Sequence, residues 1–263
     1  MTDSQAAPVL ECRGIERRFG GLVALAGVDL RVARGEIFGL VGPNGSGKTT
    51  LTNTITGFYP PQRGQVLLNG RDITGLAPHQ VARLGVARTF QNLALFNGMT
   101  VLDNILLGRH VHMRPSVLRT ALYGLLGRSD EIRHRIAVEE VIDFLQLQGV
   151  RDELVDVIPL GLKKRVELAR ALVAEPSFLV LDEPMAGMNQ EEKEYMARFV
   201  LDARDERGVT VLLIEHHMDV ITGICDRMLV LSYGEMIRTG IPSDVVADAR
   251  VVKAYLGGAH AAA

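Results

Sequence analysis

The stretch Glu36 to Leu51, EIFGLVGPNGSGKTTL, holds the residue types that grip a nucleoside triphosphate. Gly42, Gly47, Lys48 and Thr49 fit the spacing GxxxxGK(S/T). The cradle is expected to run through Gly42, Pro43, Asn44, Gly45, Ser46, Gly47, Lys48, Thr49 and Thr50. Glycines let successive backbone N–H groups turn toward an anion, and a helix N-terminus adds a partial positive charge. Lys48 is expected to reach the β- and γ-phosphates and the Thr49 hydroxyl to take a Mg²⁺ position.

A second acidic site stands where such a loop needs one. Phe178 to Pro184, FLVLDEP, reads as an apolar strand ending in two acids. Asp182 is the expected metal-side acid. Glu183, one residue further along an extended chain, is expected to point to the other side and face an attacking water. Another apolar run, Val209 to Ile214, ends in Glu215-His216-His217. On these residues alone, His216 reads equally as a γ-phosphate sensor and as half of a surface imidazole pair. Gln91, after Arg88-Thr89-Phe90, reads in isolation as an ordinary polar loop residue.

The elements that must hold these residues alternate along the chain. Glu36 to Val41 is a short strand into the phosphate loop, and Thr49-Thr50-Leu51-Thr52 opens a helix. Before them, from Val9, short strand-like runs predict an antiparallel β layer, with a further strand and tight turn at Gln65 to Gly70. From Val101 to Gly149 the reading is helical: Val138, Val141, Ile142 and Leu145 recur at helical spacing, and Gly149 is placed as the C-cap. Then come helix Lys163–Val173, strand Phe178–Leu181, helix Gln190–Glu206, strand Val209–Ile214, strand Met228–Leu231, a turn at Tyr233-Gly234 and a strand from Glu235 to Arg238. Continuous apolar strands alternating with helices imply a parallel sheet covered by helices.

Composition narrows the function classes. The 263 residues carry 29 Lys+Arg against 31 Asp+Glu, a net charge of −2 that gives no support to a nucleic-acid partner held by bulk electrostatics. Cys12 and Cys225 lie far apart without CxxC spacing, which argues against a disulfide framework or a zinc site and for a reducing compartment. The N-terminus MTDSQAAP lacks a basic region followed by an apolar one, and no apolar run reaches the roughly eighteen residues of a membrane span. The chain is thus expected neither to enter nor to cross a membrane by itself. Lys163, Lys164 and Arg165 read as a solvated helix face, and the methionines as core filler. His110 and His112, two apart, would face different ways on a helix, which argues against a metal pair.

In order and spacing these pieces resemble the ATP-binding subunit of ABC transporters over nearly the whole chain. The resemblance implies an α/β P-loop NTPase fold, a RecA-like parallel sheet core with an antiparallel β layer, plus a helical subdomain at about residues 93–165. It implies one ATP-binding domain over residues 8–258, with disordered tails at 1–7 and 259–263. It gives Phe19, in RRFGG, an adenine-stacking role and Gln91 the part of the Q-loop glutamine, which touches Mg²⁺ beside the surface that docks a membrane subunit. Glu183 becomes the general base and His216 the switch histidine.

Within the superfamily, RTFQNLALF from Arg88, DEPMAGMN from Asp182, IEHHM from Ile214 and VVKAYLGG from Val251 resemble the subunits of branched-chain amino acid importers. The resemblance implies an ATPase using ATP and Mg²⁺, peripheral on the cytoplasmic face of the cell membrane. Its implied partners are two membrane permeases, a second ATP-binding subunit identical or related to this one, and, indirectly, an external solute-binding protein. The alternative readings are an importer subunit for urea or another small organic solute, and a soluble ABC ATPase acting on ribosomes or DNA.

Two positions depart from the family pattern. Where the signature LSGGQ should stand, the chain reads Ile158-Pro159-Leu160-Gly161-Leu162, followed by KKRVELARAL. The missing serine would have donated a hydrogen bond to a charged phosphate, worth about 1.5–3 kcal/mol. Proline suits a helix's first turn, and Gly161 with the helix N-terminus is still expected to present N–H groups to phosphate. The expectation is a weakened but working contact, or a sister subunit that supplies a complete one. Asn189 stands where many ABC proteins carry the D-loop aspartate.

Overall fold

A computed structural model describes residues 8–89, 93–112 and 127–258. In chain order the elements begin with β1 (Pro8–Phe19), β2 (Leu22–Ala33), β3 (Ile37–Val41), α1 (Lys48–Ile55), β4 (Arg63–Leu68), β5 (Arg71–Asp72), α2 (Pro78–Arg83) and β6 (Val86–Arg88). Helices α3 (Val101–Leu107), α4 (Gly127–Phe144) and α5 (Leu160–Leu172) come next. The chain then runs through β7 (Phe178–Asp182), α6 (Gln190–Arg207), β8 (Thr210–Ile214), α7 (Met218–Ile224), β9 (Arg227–Ser232), β10 (Glu235–Gly240), α8 (Pro242–Val246) and α9 (Ala249–Gly258). These elements fall into two compact units, one formed by residues up to 88 with 177–184 and those from 200 on, the other by residues 89–176 and 185–199.

The first unit contains both sheets. Six strands in the order β10-β9-β3-β8-β7-β6 pair in parallel except for β10, and an antiparallel sheet runs β2-β1-β4-β5. Every residue of β3, β7 and β8 is buried, which is why these strands read as unbroken apolar runs. The hairpin from β4 to β5 turns at Asn69 and Gly70, with φ 49° and 76°, as a two-residue loop of this handedness requires. Phe38 and Leu40 of β3, Phe178 and Val180 of β7, Leu51 and Ile55 of α1, and Val66 and Leu68 of β4 share one apolar cluster. Full burial of such a side chain stabilises by about 1.5–3 kcal/mol. Cys12 and Cys225 are free and buried; burial raises both thiols, Cys225 to about 12.

The second unit is helical. Val138, Val141, Ile142 and Leu145 are all buried, as their spacing predicts. Gly149 is not the cap of α4, however. The helix stops at Phe144, Gln146 takes the left-handed conformation at φ 55°, and Leu147 N–H reaches back to Ile142 O at 2.9 Å. That is a Schellman ending with glutamine in the usual glycine position, and it turns the chain early enough to bury Leu147 completely. Gly149 lies instead in a 3₁₀ turn, Gln148–Val150.

The basic run at the start of α5 is not a solvated face. Lys164 is buried against Glu167 at 3.6 Å, and Arg165 lies over the rings of Tyr195 and Phe199 at 5.3 and 5.2 Å. Glu167 also accepts from Ala94 N–H at 3.0 Å, while Arg170 donates to Ala94 O, so two side chains one helical turn apart hold a single residue of the chain beyond β6. Burial pushes the Glu167 carboxyl up. A buried charge needs a partner, and here the pairing draws the lysine inward.

Candidate active site

The parallel strands β3, β7 and β8 end level with one another: Leu40 and Asp182 both pair with Ile214. The segments that leave these strands therefore emerge along one edge of the sheet, where open α/β sheets bind ligands. From β3 comes the phosphate loop, from β7 the acids, from β8 the histidine.

The phosphate loop is held from outside. Gly234, in the turn between β9 and β10, donates to Ser46 O and accepts from Ala26 N–H, both at 2.9 Å. A Cβ on Gly42, at φ 153°, would sit 2.2 Å from Leu231 O, and one on Gly47, at φ 106°, would sit 2.6 Å from Ala24 O. Both positions thus require glycine for closeness as well as for conformation. Gly47 is the N-cap of α1 and supplies no side-chain bond, which leaves the first N–H groups of the helix for an external acceptor. Ser46 Oγ is buried without a hydrogen-bond partner among the described residues. An orphaned buried hydroxyl beside an uncapped helix N-terminus fits a phosphate. Lys48 Nζ folds over the loop, donating to Gly42 O at 2.7 Å and Pro43 O at 3.1 Å. Burial lowers its pKa, which Glu183 and Asp182 partly offset. Asn44, Gly45 and Thr49 are exposed, and Pro43 and Thr50 half-buried.

Asp182 is buried at the end of β7, and its Oδ2 accepts from Arg88 Nη2 at 2.7 Å. The extended-chain argument for Glu183 does not hold. Strand β7 ends at Asp182, and Glu183 has φ 50°, so a sharp left-handed turn rather than strand alternation aims its side chain. Its N–H still donates to Ile214 O at 2.9 Å, and its Oε1 lies 2.7 Å from Nε2 of His216. A non-glycine residue in this region stores about 1–3 kcal/mol and marks a site where geometry is over-determined.

Phe19 is 40% exposed and packs edge-on against Tyr59 with centroids 5.3 Å apart, Arg17 lying over both rings. Gln91 and the tails 1–7 and 259–263 lie outside the described residues. Gly161 and Asn189 belong to the second unit. Pro159 is the residue before α5 rather than part of its first turn, and it makes no side-chain cap. Asn189 caps α6: its Oδ1 accepts from Glu192 N–H at 2.9 Å, while Glu192 Oε2 accepts from Asn189 N–H at 3.0 Å. The other oxygen of Glu192 lies against Gly161, 2.3 Å from where a Cβ would stand.

On sequence alone Arg88 reads only as context for Gln91. The signal that could have found it is a charge on a short strand of a parallel sheet, which must be paired if buried.

Among the described residues no group of three His, Cys, Asp or Glu could hold a metal by itself, and no helix is long and apolar enough to cross a membrane. A Mg²⁺ held between Thr49, Asp182 and substrate phosphates is compatible with the first observation, since Mg²⁺ is usually shared with phosphates rather than caged by protein.

Residues 25–186 match the ABC transporter family. The chain belongs to that family. This ABC chain is 39% identical over 253 residues to the high-affinity branched-chain amino acid transport ATP-binding protein BraF of Pseudomonas aeruginosa, covering 95% of this chain and 98% of that one. It is 37% identical to the corresponding protein LivG of Escherichia coli K12, at 95% and 98% coverage. Among solved structures it resembles a nucleotide-free ATP-binding cassette from an ABC transporter, at TM-score 0.82 and 32% identity, covering 94% of this chain and 98% of that chain. The fold is thus that of an ABC cassette, a P-loop ATPase, and the chain is a nucleotide-binding ATPase of the ABC class.

Proposed function

We propose that this ATPase drives an importer for amino acids, branched-chain ones first, as a peripheral subunit on the cytoplasmic face of the membrane. The observation that carries the reading is end-to-end similarity to BraF and LivG, 95% of this chain against 98% of each relative. Its partners on this reading are two permeases, a second ATP-binding subunit and, indirectly, an external solute-binding protein. The ABC domain spans residues 8–258, with the helical part at about 93–165.

Each site residue then has a role. Backbone amides from Gly42 to Thr50 hold the phosphates, Lys48 neutralises the β- and γ-phosphoryl oxygens, and the orphaned hydroxyl of Ser46 gains an acceptor. Phe19 stacks on adenine with its exposed face. Thr49, Asp182 and Gln91 hold Mg²⁺, which when bound offsets charge on the transferring phosphoryl group. Glu183 orients and deprotonates the attacking water, and His216, which Glu183 orients in the free protein, turns its N–H to the γ-phosphate when nucleotide binds.

Two subunits close head-to-tail, so that helix α5 with Gly161, and the turn with Asn189, face the phosphate loop of the opposite subunit. Closure follows from contacts to the γ-phosphate on both sides, and hydrolysis removes that difference.

Affinity purification from native membranes in mild detergent, followed by mass spectrometry of the partners, tests the reading. Multi-span permeases with a solute-binding protein that is saturated by leucine, isoleucine or valine are the expected result. A binding protein that takes urea instead would redirect the solute, and ribosomal or DNA-bound partners without any membrane protein would overturn the importer.

A further inference from the structure

Arg88 closes β6 with its side chain 8% exposed, and its guanidinium spans two other elements. Nη2 donates to Asp182 Oδ2 at 2.7 Å on β7; Nη1 donates to Asn53 Oδ1 at 2.5 Å and reaches Thr56 Oγ1 at 3.4 Å on α1 and its C-cap. Asn53 stands four residues after Thr49, and Thr56 seven, so both fall on the helix face that begins at Thr49. One rigid, planar, permanently charged group therefore ties the helix that carries Lys48 and Thr49 to the strand end that carries Asp182.

We propose that Arg88 is a positioning residue for the divalent cation, fixing the Asp182 carboxylate relative to α1 so that Thr49 and Asp182 are correctly spaced before nucleotide and metal arrive. The proposal rests on the reading of Thr49 and Asp182 as the metal-side residues. Three physical arguments support it. A buried ion pair is poor at stabilising a fold, and an apolar residue would serve a parallel strand as well or better, so stability alone does not explain an arginine here. Mg²⁺ demands near-ideal octahedral geometry at about 2.0–2.1 Å, so small errors in ligand placement cost affinity. And only a guanidinium offers donors in a fixed fork; a lysine carries the charge but cannot hold both ends at once.

The test uses the full chain and a non-hydrolysable ATP analogue, with affinity measured in excess EDTA and in Mg²⁺, Mn²⁺ bound with the analogue followed by electron paramagnetic resonance, and melting temperature recorded for each variant. Arg88→Lys is expected to keep the EDTA affinity within about twofold and to lose about tenfold of the metal-dependent gain, the usual scale for removing a group that orients a metal ligand. Asn53→Ala, which retains the ion pair but frees the far arm, is expected to show a smaller loss in the same direction. A lower melting temperature with an unaltered metal-dependent gain in Arg88→Lys would make the residue merely structural and overturn the proposal. Asp182→Asn separates the two readings. If it abolishes the metal gain while Arg88→Lys does not, the positioning role alone fails; if neither variant alters the gain, the metal assignment fails and the positioning role with it.

Discussion

Glu183 Oε1 lies 2.7 Å from His216 Nε2, which joins the acid after β7 to the imidazole after β8, its neighbour in the sheet. A carboxylate can only accept here, so the imidazole donates and the two side chains orient each other. Loss of the base is therefore expected to be the larger defect. Glu183→Gln should lower ATP turnover by about 10²–10⁴-fold, the range for general-base catalysis, with ATP affinity within a few-fold of wild type. His216→Ala should lower turnover less and weaken closure of the dimer as well. Phosphate release and equilibrium nucleotide binding on the same preparations check both, and strong residual hydrolysis in Glu183→Gln would remove its assignment as base.

Backbone conformation at Glu183 gives a second, separable expectation. At φ 50° a glycine is at ease where a glutamate is strained. Glu183→Gly should abolish turnover and yet raise the unfolding free energy by about 1 kcal/mol, read by denaturant titration. An enzyme that is both dead and destabilised would show that the turn carries no stored strain.

Lys48 is expected to set the pH response of nucleotide binding. Burial holds its pKa below the ordinary 10.5 in the free protein, and phosphate charge placed beside it would raise the pKa in the complex. Binding thus has its full strength below the free-state pKa and weakens as pH rises from there toward the bound-state value. ATP affinity is expected to be flat around neutrality and to start falling on the alkaline side before pH 10.5, while Lys48→Met should be weaker throughout and lack that fall. Isothermal titration across alkaline buffers of two ionisation enthalpies measures the affinity and the proton uptake together.

Pro159→Ser restores the missing signature hydroxyl. The serine would take the N-cap position of α5, where it gains about 1 kcal/mol as a cap and gives up about 0.4–1 kcal/mol of proline rigidity. Stability should barely move. ATP-driven dimerisation in a Glu183→Gln background, followed by light scattering, should increase by roughly 10- to 150-fold for each contact restored, as one hydrogen bond to a charged group implies. Unchanged dimerisation would argue that this position does not meet phosphate.

The sheet is legible in the sequence because parallel strands buried on both faces leave continuous apolar runs, as in Phe178–Asp182 and Thr210–Ile214. The phosphate loop is legible because Gly42 and Gly47 are required by backbone approach within about 3 Å, a constraint that spacing alone transmits. The features that sequence does not reveal depend on partners distant along the chain. Lys164 is buried because Glu167 is, and Glu167 because it holds Ala94; no periodicity encodes that chain of dependence. Gln146 takes a left-handed cap against its own preference because burial of Leu147 outweighs a turn residue's local cost, so the nearby Gly149 is a misleading signal. Arg88 escapes a local reading because Asn53 and Asp182, which it ties together, lie 35 and 94 residues away. Asn189 reads in sequence only as the D-loop position, and that its side-chain oxygen also starts α6 becomes visible only in the structure.

The two native thiols are sealed in the interior, Cys12 at 1% exposure and Cys225 at 8%, with ionisation suppressed in both. Thiolate is the reactive species, so neither should compete with a cysteine introduced at the surface. Maleimide spin labels or fluorophores could be attached in pairs to the unaltered background, and the opening and closing of the cassette followed by distance in real time, without first building a cysteine-free protein.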